Sequence, residues 1–275
     1  MTGDNGLQQV ISTLASGQNW LVLTGAGVSA DSGVPTYRDK EGAWQRLPPV
    51  THQQFMAEQS ARQRFWARNM VGWRFMLEAQ PNVAHLALAA LEKTTAVSHL
   101  VTQNVDGLHQ RAGSRRVIDL HGRVDTVSCM GCGLRHHRGT LQNWLEQLNP
   151  EFSQLAGVIG PDGDAHIDKL DYSSMQIPDC EHCGGILKPD AVFFGDSIPK
   201  TRLDQARQQL TSAQGLLVVG SSLAVYSGYR FCLWAQAEGK PIVILNQGAT
   251  RADPIASLKV DSPCASILQK WLLSC

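Results

Sequence analysis

The stretch Trp20-Leu-Val-Leu-Thr-Gly-Ala-Gly-Val-Ser-Ala30 decides the fold of this chain. Its first half is a short apolar run of the kind that forms a buried strand, and its second half is a Gly-x-Gly-x-x-Ala pattern. Glycines placed there let the backbone approach a pyrophosphate, and a helix that starts after them supplies oriented N–H groups. An ordinary glycine turn after a buried strand would leave the same letters, so this stretch alone leaves both interpretations open.

Five further apolar runs are similar to the first in length and composition. They cover residues 99–102, 117–120, 191–194, 216–219 and 241–245. Helical patterns lie between some of them, for example over residues 82–93 and 200–213. Short continuous apolar runs are typical of a parallel sheet that is covered on both faces. The alternation therefore predicts an α/β fold with a Rossmann-like, doubly wound parallel sheet.

Two segments interrupt this alternation and predict insertions. Residues 50–80 are rich in aromatic side chains and predict a helical module. Residues 125–185 contain two close cysteine pairs, and within them the Gly- and Asp-rich stretch 157–172 predicts an exposed loop. The Rossmann-like nucleotide-binding domain would then comprise residues 1–49, 81–124 and 186–275.

The cysteine pairs Cys129-Met-Gly-Cys132 and Cys180-Glu-His-Cys183 predict a zinc site. Each Cys-x-x-Cys pair can hold one face of a Zn²⁺ ion, and the two pairs together complete a tetrahedron. Because four sulfur ligands leave no position open for water, we expect one structural Zn²⁺ rather than a catalytic one. Disulfides would require secretion, for which the sequence shows no signal.

The bulk composition argues against several functional classes. The 24 basic residues balance 24 acidic ones, and a formal net charge of zero is not that of a general nucleic-acid binder. No apolar run is long enough to span a bilayer, and the first residues show neither a secretory nor a mitochondrial targeting pattern. We therefore expect a cytoplasmic monomer without membrane or direct nucleic-acid partners, or a mitochondrial-matrix protein if a presequence has been removed.

Polar residues follow two of the predicted strands at the point where each strand ends. Gln103, Asn104 and Asp106 come directly after the run 99–102, and His121 follows the run 117–120. An amide beside a carboxylate can recognise a carboxamide such as that of nicotinamide, and histidine is the natural general base near neutral pH. Turn chemistry would also account for Asn and Asp. Since ligands bind at the carboxyl edge of open α/β sheets, we predict a ligand site there.

The region about 20 residues after the glycine pattern argues against a dehydrogenase. A hydride-transfer enzyme places an acid there to hold the adenosine ribose, but residues 44–49, Trp-Gln-Arg-Leu-Pro-Pro, contain neither an acid nor a strand pattern. The preceding residues 31–39 contain Gly and Pro and predict a loop over the nucleotide, in which Arg38 could face a phosphate or a carboxylate.

Together these motifs resemble those of the sirtuins. The resemblance rests on Gly25-Ala-Gly-Val-Ser-Ala-Asp-Ser-Gly-Val-Pro-Thr-Tyr-Arg38, Gln103-Asn-Val-Asp-Gly-Leu-His109, His121-Gly122, the two cysteine pairs, Lys188-Pro-Asp-Ala-Val-Phe-Phe-Gly-Asp196 and Gly220-Ser-Ser-Leu223. Residues 65–73, 112–116 and 225–230 are similar to the class II branch of that family. The resemblance covers nearly the whole chain. It implies an NAD-dependent protein deacylase that acts on acylated lysine, releases nicotinamide and transfers the acyl group to ADP-ribose.

The resemblance also implies roles for individual residues. His121 would activate a ribose hydroxyl, with Asn104 beside it as the second catalytic residue. The residues implied to bind NAD are Gly25, Ala26, Gly27, Ala30, Pro35, Tyr37, Arg38, Gln103, Asn104, Val105, Asp106, His121, Gly220, Ser221, Ser222, Asn246, Gln247, Gly248 and Cys264. The acylated protein would add a strand to the backbone of Val192, Phe193, Phe194 and Gly195.

Three alternatives stay open at this point. The same site could perform mono-ADP-ribosyl transfer to a protein side chain. It could also favour longer or branched acyl groups, as a lipoamidase does, with Phe65 and Arg68 spaced on one helix face for acyl recognition. A non-catalytic NAD sensor or zinc-finger interaction module is the third alternative, and the presence of His121, Asn104 and Asp106 argues against it.

Overall fold

A parallel sheet of six strands forms the centre of the structure, a computed structural model that describes residues 3–17, 19–36, 49–155, 157–160, 163–167 and 171–275. Within these ranges the strands are β1 (Trp20–Thr24), β2 (Val97–Thr102), β3 (Val117–Asp119), β4 (Gly122–Cys129), β5 (Arg135–His137), β6 (Val158–Ile159), β7 (Ala165–His166), β8 (Leu187–Ala191), β9 (Leu216–Val219), β10 (Ile242–Leu245) and β11 (Leu258–Val260). The central sheet has the order β11-β10-β9-β1-β2-β3, and all of its neighbouring strands run parallel.

Helices cover both faces of this sheet. They are α1 (Gly3–Ser16), α2 (His52–Ala57), α3 (Gln59–Glu78), α4 (Val83–Lys93), α5 (Leu108–Arg111), α6 (Arg138–Leu148), α7 (Pro150–Ser153), α8 (Lys200–Ser212), α9 (Tyr226–Ala237) and α10 (Cys264–Leu273). One buried core joins α1, α4 and α10 to one face, and a second joins α8 and α9 to the other. The predicted doubly wound α/β fold is confirmed. Among the described helices, none has the length and apolar character that crossing a membrane requires.

Alternate residues of β1 show why the strands read as continuous apolar runs. Trp20 and Val22 belong to the core on one face, whereas Leu21 and Leu23 belong to the core on the opposite face. All four side chains are at most 1 % exposed. Because both faces are covered, the polar alternation of a half-exposed strand is absent, and this identifies the strand as part of a doubly covered sheet.

Two strand predictions need correction. The run 191–194 was expected to be a strand, but the strand at this place is β8, which ends at Ala191 and pairs antiparallel with β4 outside the central sheet. The edge strand β11 was not predicted, because its Leu-Lys-Val run is short and carries a charge. The helical predictions for residues 82–93 and 200–213 agree with α4 and α8 to within one residue at each end.

A second, antiparallel sheet of order β5-β4-β8 carries the cysteine pairs at one end. β4 starts at Gly122 immediately after His121, and Gly122 pairs with Ala191 while Cys129 pairs with Leu187. Gly122 has a φ of +77°, and a Cβ there would lie 2.0 Å from the carbonyl oxygen of Asp190. Only glycine therefore allows the two strands to approach here. The helices α2, α3 and α6 pack on this sheet in a third buried core. The proposed division of the chain into three modules stays a prediction.

Within the stretch 157–172, the described residues 157–160 and 163–167 are not the exposed loop that the composition predicts. β6 and β7 form a short hairpin, and Ala165 is fully buried. A Cβ on Gly72 of α3 would lie 2.0 Å from the carbonyl oxygen of Gly163, so the hairpin backbone contacts the helix directly. The prediction was wrong for these residues, because Gly and Asp in a sequence indicate a turn without indicating what the turn packs against.

The four paired cysteines meet beyond the ends of β4 and β8. Their Sγ atoms all lie within 4.8 Å of one another, with 3.4 Å between Cys129 and Cys183 and 3.7 Å between Cys132 and Cys180. Four sulfurs around Zn²⁺ at about 2.3 Å would be separated by about 3.8 Å. Hydrogen bonds from the N–H groups of Cys132 and Gly131 lower the pKa of the Cys129 thiol, whereas its contact with Cys129 raises the pKa of the Cys183 thiol. The geometry and donor set fit one structural Zn²⁺.

Replacement of a zinc ligand should destabilise the second sheet. We expect Cys129→Ser to lose zinc and to melt at a temperature lower by about 10 °C or more, because several kcal/mol of metal binding stabilise the fold and each kcal/mol shifts the midpoint of a domain this size by roughly 2–4 °C. Thermal melting with a parallel zinc determination measures this. Cys275→Ser, at an exposed cysteine outside the cluster, is the matched control. A zinc-free Cys129→Ser protein with the wild-type melting temperature would contradict the prediction.

Candidate active site

A cavity of about 890 Å³ opens at the carboxyl edge of the parallel sheet. The residues predicted to bind NAD that line it are Gly25, Ala26, Gly27, Ala30, Gln103, Asn104, Val105, His121, Gly220, Ser221, Ser222, Asn246, Gln247 and Cys264. The residues predicted to bind substrate, Val192, Phe193, Phe194 and Gly195, line the same cavity. The structure thus brings together groups that lie up to 239 positions apart in the chain, from Gly25 to Cys264.

The remaining predicted residues lie elsewhere. Pro35, Asp106 and Gly248 are not among the lining residues, although Asp106 is linked through Ser29 to the lining residue Asn104. Tyr37 and Arg38 lie outside the described residues. The lining also includes residues that were not individually predicted to bind a ligand, namely Asp31, Thr36, Asp196, Ile198, Leu223, Ala224, Val225, Ser227, Leu245, Ala249, Ser262 and Pro263.

Two glycine-containing loops cross at the floor of the cavity. Gly27 N donates to the carbonyl oxygen of Gly220 at 2.9 Å. A Cβ on Gly25 would lie 2.7 Å from Ser221 Cβ, and one on Gly27 would lie 2.9 Å from the Gly220 oxygen. The glycines are therefore required by the approach of two backbones. Residues 25–36 do not form the α-helix expected after this pattern: single 3₁₀ turns, Ala26–Val28 and Ala30–Ser32, follow β1 instead.

Ser29 connects two of the predicted polar residues beside the cavity. Its Oγ donates to Asp106 Oδ2 at 2.7 Å and accepts from Asn104 Nδ2 at 3.0 Å. Asn104 Nδ2 also donates to the carbonyl oxygen of Gly25 at 3.1 Å, and Leu108 N donates to Asp106 Oδ1 at 2.9 Å. Burial raises the pKa of Asp106, while the hydrogen bonds from Leu108 and Ser29 act in the opposite direction. The only signal that Ser29 carries in the sequence is its place inside the glycine pattern.

Gln103 joins three strand ends. Its N–H donates to the carbonyl oxygen of Thr24 at 3.0 Å, and its Nε2 donates to Ser221 Oγ at 2.8 Å. Its own carbonyl oxygen lies 2.9 Å from His121 Nδ1. Gln103, the first residue after β2, therefore connects the end of β1 and the loop after β9 to the histidine that follows β3.

The hydrogen bonds of His121 define which ring nitrogen can accept a proton. Nδ1 faces the carbonyl oxygen of Gln103, and Nε2 lies 2.8 Å from Ser227 Oγ. Because a carbonyl oxygen only accepts, Nδ1 carries the hydrogen and Nε2 of the neutral ring keeps its lone pair. Burial lowers the pKa of His121, the Gln103 hydrogen bond raises it and the charge of Arg202 lowers it, with a net decrease. At neutral pH the ring is a base whose accepting atom is Nε2.

The segment 192–195 forms one wall of the cavity and is held at both ends. Val192 N donates to the carbonyl oxygen of His121 at 2.8 Å, directly beside the base. At the other end, His52 N donates to the carbonyl oxygen of Phe194 at 2.9 Å, and Gln53 Nε2 donates to that of Gly195 at 2.8 Å. The β5-β4-β8 sheet, which carries the cysteine pairs, and the helix α2 thus position this wall together.

The structure separates Phe65 and Arg68, which were predicted to recognise the acyl group together. The ring of Phe65 lies 5.1 Å from that of Phe193 and so supports the cavity wall. Arg68 Nη2 instead pairs with Asp164 at 2.8 Å, and its Nε donates to the carbonyl oxygen of Ala165 at the same distance. Because its charge already has an acidic partner, Arg68 is not a free cation for an acidic acyl chain.

Comparison with known proteins agrees with this arrangement. Residues 25–227 match the model of the Sir2 family. A relative from Bordetella bronchiseptica, named NAD-dependent protein deacetylase, is 51% identical over 262 residues, which are 95% of this chain and 96% of that protein. A relative from Bos taurus, named NAD-dependent protein lipoamidase sirtuin-4, mitochondrial, is 49% identical over 251 residues, which are 90% of this chain and 80% of that protein.

A solved structure described as Sir2-p53 peptide-NAD+ shares the fold of the whole chain. It superposes with a TM-score of 0.77 at 30% identity and covers 96% of both chains. The matched segments include the glycine loops, the strand-end polar residues and the insertion that carries the cysteines. The chain belongs to the Sir2 family, the sirtuins.

Proposed function

We propose that this protein is an NAD-dependent protein-lysine deacetylase, which releases nicotinamide and transfers the acyl group to ADP-ribose. The observation that carries the proposal is the hydrogen bonding of His121. Its Nδ1 is bonded to a carbonyl oxygen, so Nε2 faces Ser227 in the cavity as a base. A neutral histidine held in this tautomer is suited to accept a proton from a substrate hydroxyl.

Several features support NAD as the co-substrate. The cavity of about 890 Å³ lies at the upper end of the size range of small-molecule sites, as a dinucleotide requires. Gly25, Gly27 and Gly220 line the cavity, so backbone without side chains borders the place where a pyrophosphate could bind. Asn104, held by Gly25 and Ser29, is suited to recognise a polar group such as a carboxamide. NAD supplies a ribose whose bond to nicotinamide is broken in favour of the acyl oxygen.

The protein groups then have distinct roles in the proposed reaction. His121 takes a proton from a ribose hydroxyl onto Nε2, while the Gln103 carbonyl stabilises the N–H at Nδ1 as the ring becomes charged. Asn104, Ser29 and Asp106 form a pre-organised polar group beside it, and little reorganisation is needed during reaction. Zn²⁺, bound by four thiolates at the far end of β4 and β8, would take no direct part.

The proposed macromolecular substrates are proteins that carry an acylated lysine, bound along the segment 192–195 by strand addition. Support comes from its position beside His121, because the two are joined by the hydrogen bond from Val192. We also propose that the enzyme acts as a monomer without direct nucleic-acid or membrane partners, in the cytoplasm or, after loss of a presequence, in the mitochondrial matrix. The zero net charge supports the absence of general nucleic-acid binding.

Product analysis should identify the reaction. With NAD and a panel of acetyl-, glutaryl- and lipoyl-lysine peptides, we expect acetyl-lysine to be turned over, with nicotinamide and O-acetyl-ADP-ribose as co-products. Mass spectrometry of peptide and nucleotide products measures all three. Preferred turnover of the lipoyl peptide would favour the lipoamidase alternative, which the name of the bovine relative makes relevant. ADP-ribose attached to protein without any deacylated peptide would contradict the proposal.

Replacement of the proposed base should abolish most of the activity. We expect His121→Gln to lower kcat by about 10²- to 10⁴-fold, which is the usual contribution of a general base. The glutamine can still donate to the Gln103 carbonyl oxygen, so the melting temperature should change little. Nicotinamide release, followed with time, is the measurement. Undiminished NAD consumption by a folded His121→Gln protein would disprove the assignment.

The pH dependence should report the ionisation of His121. Burial lowers its pKa below the usual 6.5, so the neutral base predominates at pH 7 and kcat/KM should be independent of pH there. As the pH falls through the lowered pKa, Nε2 becomes protonated and kcat/KM should decrease by tenfold per pH unit. The residual activity of His121→Gln should lack this decrease. A decrease that begins well above pH 6.5 in the wild type would contradict the prediction.

A further inference from the structure

Three arginines and three aromatic rings form a continuous stack on the surface of α9, here called the arginine strip. Its members, in spatial order, are Arg207, Trp234, Arg230, Tyr226, Arg251 and Tyr229. The guanidinium carbons lie 4.9 Å from the ring centroid in the pairs Arg207–Trp234 and Arg230–Tyr226, and 4.3 Å in the pair Arg251–Tyr229. Each guanidinium therefore stacks on at least one ring.

Two of these arginines have no acidic partner within the described part of the chain. Arg207 pairs with Glu238 at 2.6 Å. No ion pair among the described residues includes Arg230 or Arg251, and the neighbouring carboxylates of Glu238 and Asp253 are both bonded to lysines. In a chain of zero net charge, Arg230 and Arg251 thus place two neighbouring positive charges without an acidic partner among the described residues.

Stacking prepares these guanidinium groups to bind a carboxylate. It uses the flat faces of the guanidinium group and leaves the N–H groups at its edge for hydrogen bonds. A stacked arginine has already lost much of its side-chain freedom, so that binding an acid costs less entropy than at a mobile lysine. The strip is therefore better suited to acidic side chains than an ordinary basic surface is.

The strip adjoins residues that line the cavity near His121. Tyr226 is half-exposed, at 52%, and stands between Val225 and Ser227, which both line the cavity. Ser227 is hydrogen-bonded to His121 Nε2. Arg251 is anchored to the same rim, because its N–H donates to the carbonyl oxygen of Ser222 at 2.9 Å. Arg230 lies one turn of α9 after Tyr226, about 6 Å along the helix axis at 1.5 Å per residue.

We propose that the arginine strip recognises acidic side chains of the substrate protein, located about two to four residues from the acylated lysine. This inference rests on the proposed function, because it assumes that an acyl-lysine enters beside His121. An extended chain advances about 3.3 Å per residue, so residues at that separation would lie above Tyr226. The enzyme would thus select acidic sequence contexts, although its charge as a whole is neutral.

The test is a four-way comparison of two enzymes and two acetyl-lysine peptides. One peptide has Asp or Glu at two to four residues from the lysine, and the other has Asn or Gln there. For the wild type we expect kcat/KM to be about three- to tenfold higher with the acidic peptide, the range expected for two exposed charge pairs. The difference should lie in KM, because the contact exists equally in the ground and transition states.

In the double variant Arg230→Gln/Arg251→Gln the preference should disappear. The ratio of kcat/KM between the two peptides should fall to about one, while turnover of the neutral peptide stays within about twofold of the wild type. Arg230→Lys/Arg251→Lys keeps the charges without the planar fork and should keep only part of the preference. Raising the salt concentration should reduce the wild-type preference, because exposed charge pairs are screened.

Arg115→Gln is the matched control. It removes one positive charge from an exposed arginine that precedes β3, at the edge of the sheet opposite the cavity. It should leave the peptide preference intact. Melting temperatures of all variants show whether loss of the stacked guanidinium groups has affected the fold. Scanning one acidic residue along the peptide should locate the benefit on one side of the lysine.

Four outcomes would overturn the inference. They are equal turnover of both peptides by the wild type, an unchanged preference in the double variant, an equal benefit from acid at every peptide position, and strip-dependent binding of an oligonucleotide without any peptide preference. Fluorescence anisotropy of the labelled peptides separates this inference from the proposed function. Tighter, strip-dependent binding of the acidic peptide without deacetylation would support the inference about the strip and contradict the proposed function. Deacetylation of both peptides without preference would support the proposed function and contradict the inference about the strip.

Discussion

The register of β1 against its two neighbours is the constraint on which the site depends. Thr24 pairs with Thr102 of β2 and with Val219 of β9, so three strands end at the same level. The residues that follow these strands, Gly25, Gln103 and Gly220, therefore meet at one edge of the sheet as a direct result of the strand register. The hydroxyl groups of Thr24 and Thr102 also form a buried hydrogen bond of 2.9 Å, which links the ends of β1 and β2. A shift of one residue would move every one of these groups to the wrong level or face.

The second sheet extends this constraint to His121, the proposed catalytic base, and to the segment 192–195, the proposed substrate-binding wall. β4 begins after His121 and β8 ends before Val192, and the two strands pair from Gly122–Ala191 at one end to Cys129–Leu187 at the other. The proposed zinc holds the far end of this pair, at about 20 Å along β4 given the rise of a strand. It can therefore stabilise the positions of His121 and of the segment 192–195 relative to each other without contacting either. This accounts for a structural metal in an enzyme whose chemistry does not use it.

Much of this arrangement was predictable because short-range chemistry leaves traces in the sequence. Buried strands read as apolar runs, the zinc ligands as Cys-x-x-Cys pairs, and the strand-end groups Gln103, Asn104 and His121 as polar residues directly after those runs. The contributions of Ser29 and Ser227 were not predictable in this way. Serine is common in turns and at helix starts, and only the tertiary structure shows that one bonds Asn104 and Asp106 while the other lies 2.8 Å from His121. The pairing of Arg68 with Asp164, almost a hundred residues away, likewise has no local signal.

The sequence by itself determined the α/β class, the family, the zinc ligands and most of the residues that line the cavity. Each of these rests on residue type and spacing, which are local properties. The tertiary structure decided the tautomer of His121, the burial of the 163–165 backbone against α3, the antiparallel placement of β8 and the stacking of Arg230 and Arg251 on α9. These depend on partners distant in the chain. These features arise from distances between groups in the folded chain, and the order of residues along the sequence does not give those distances.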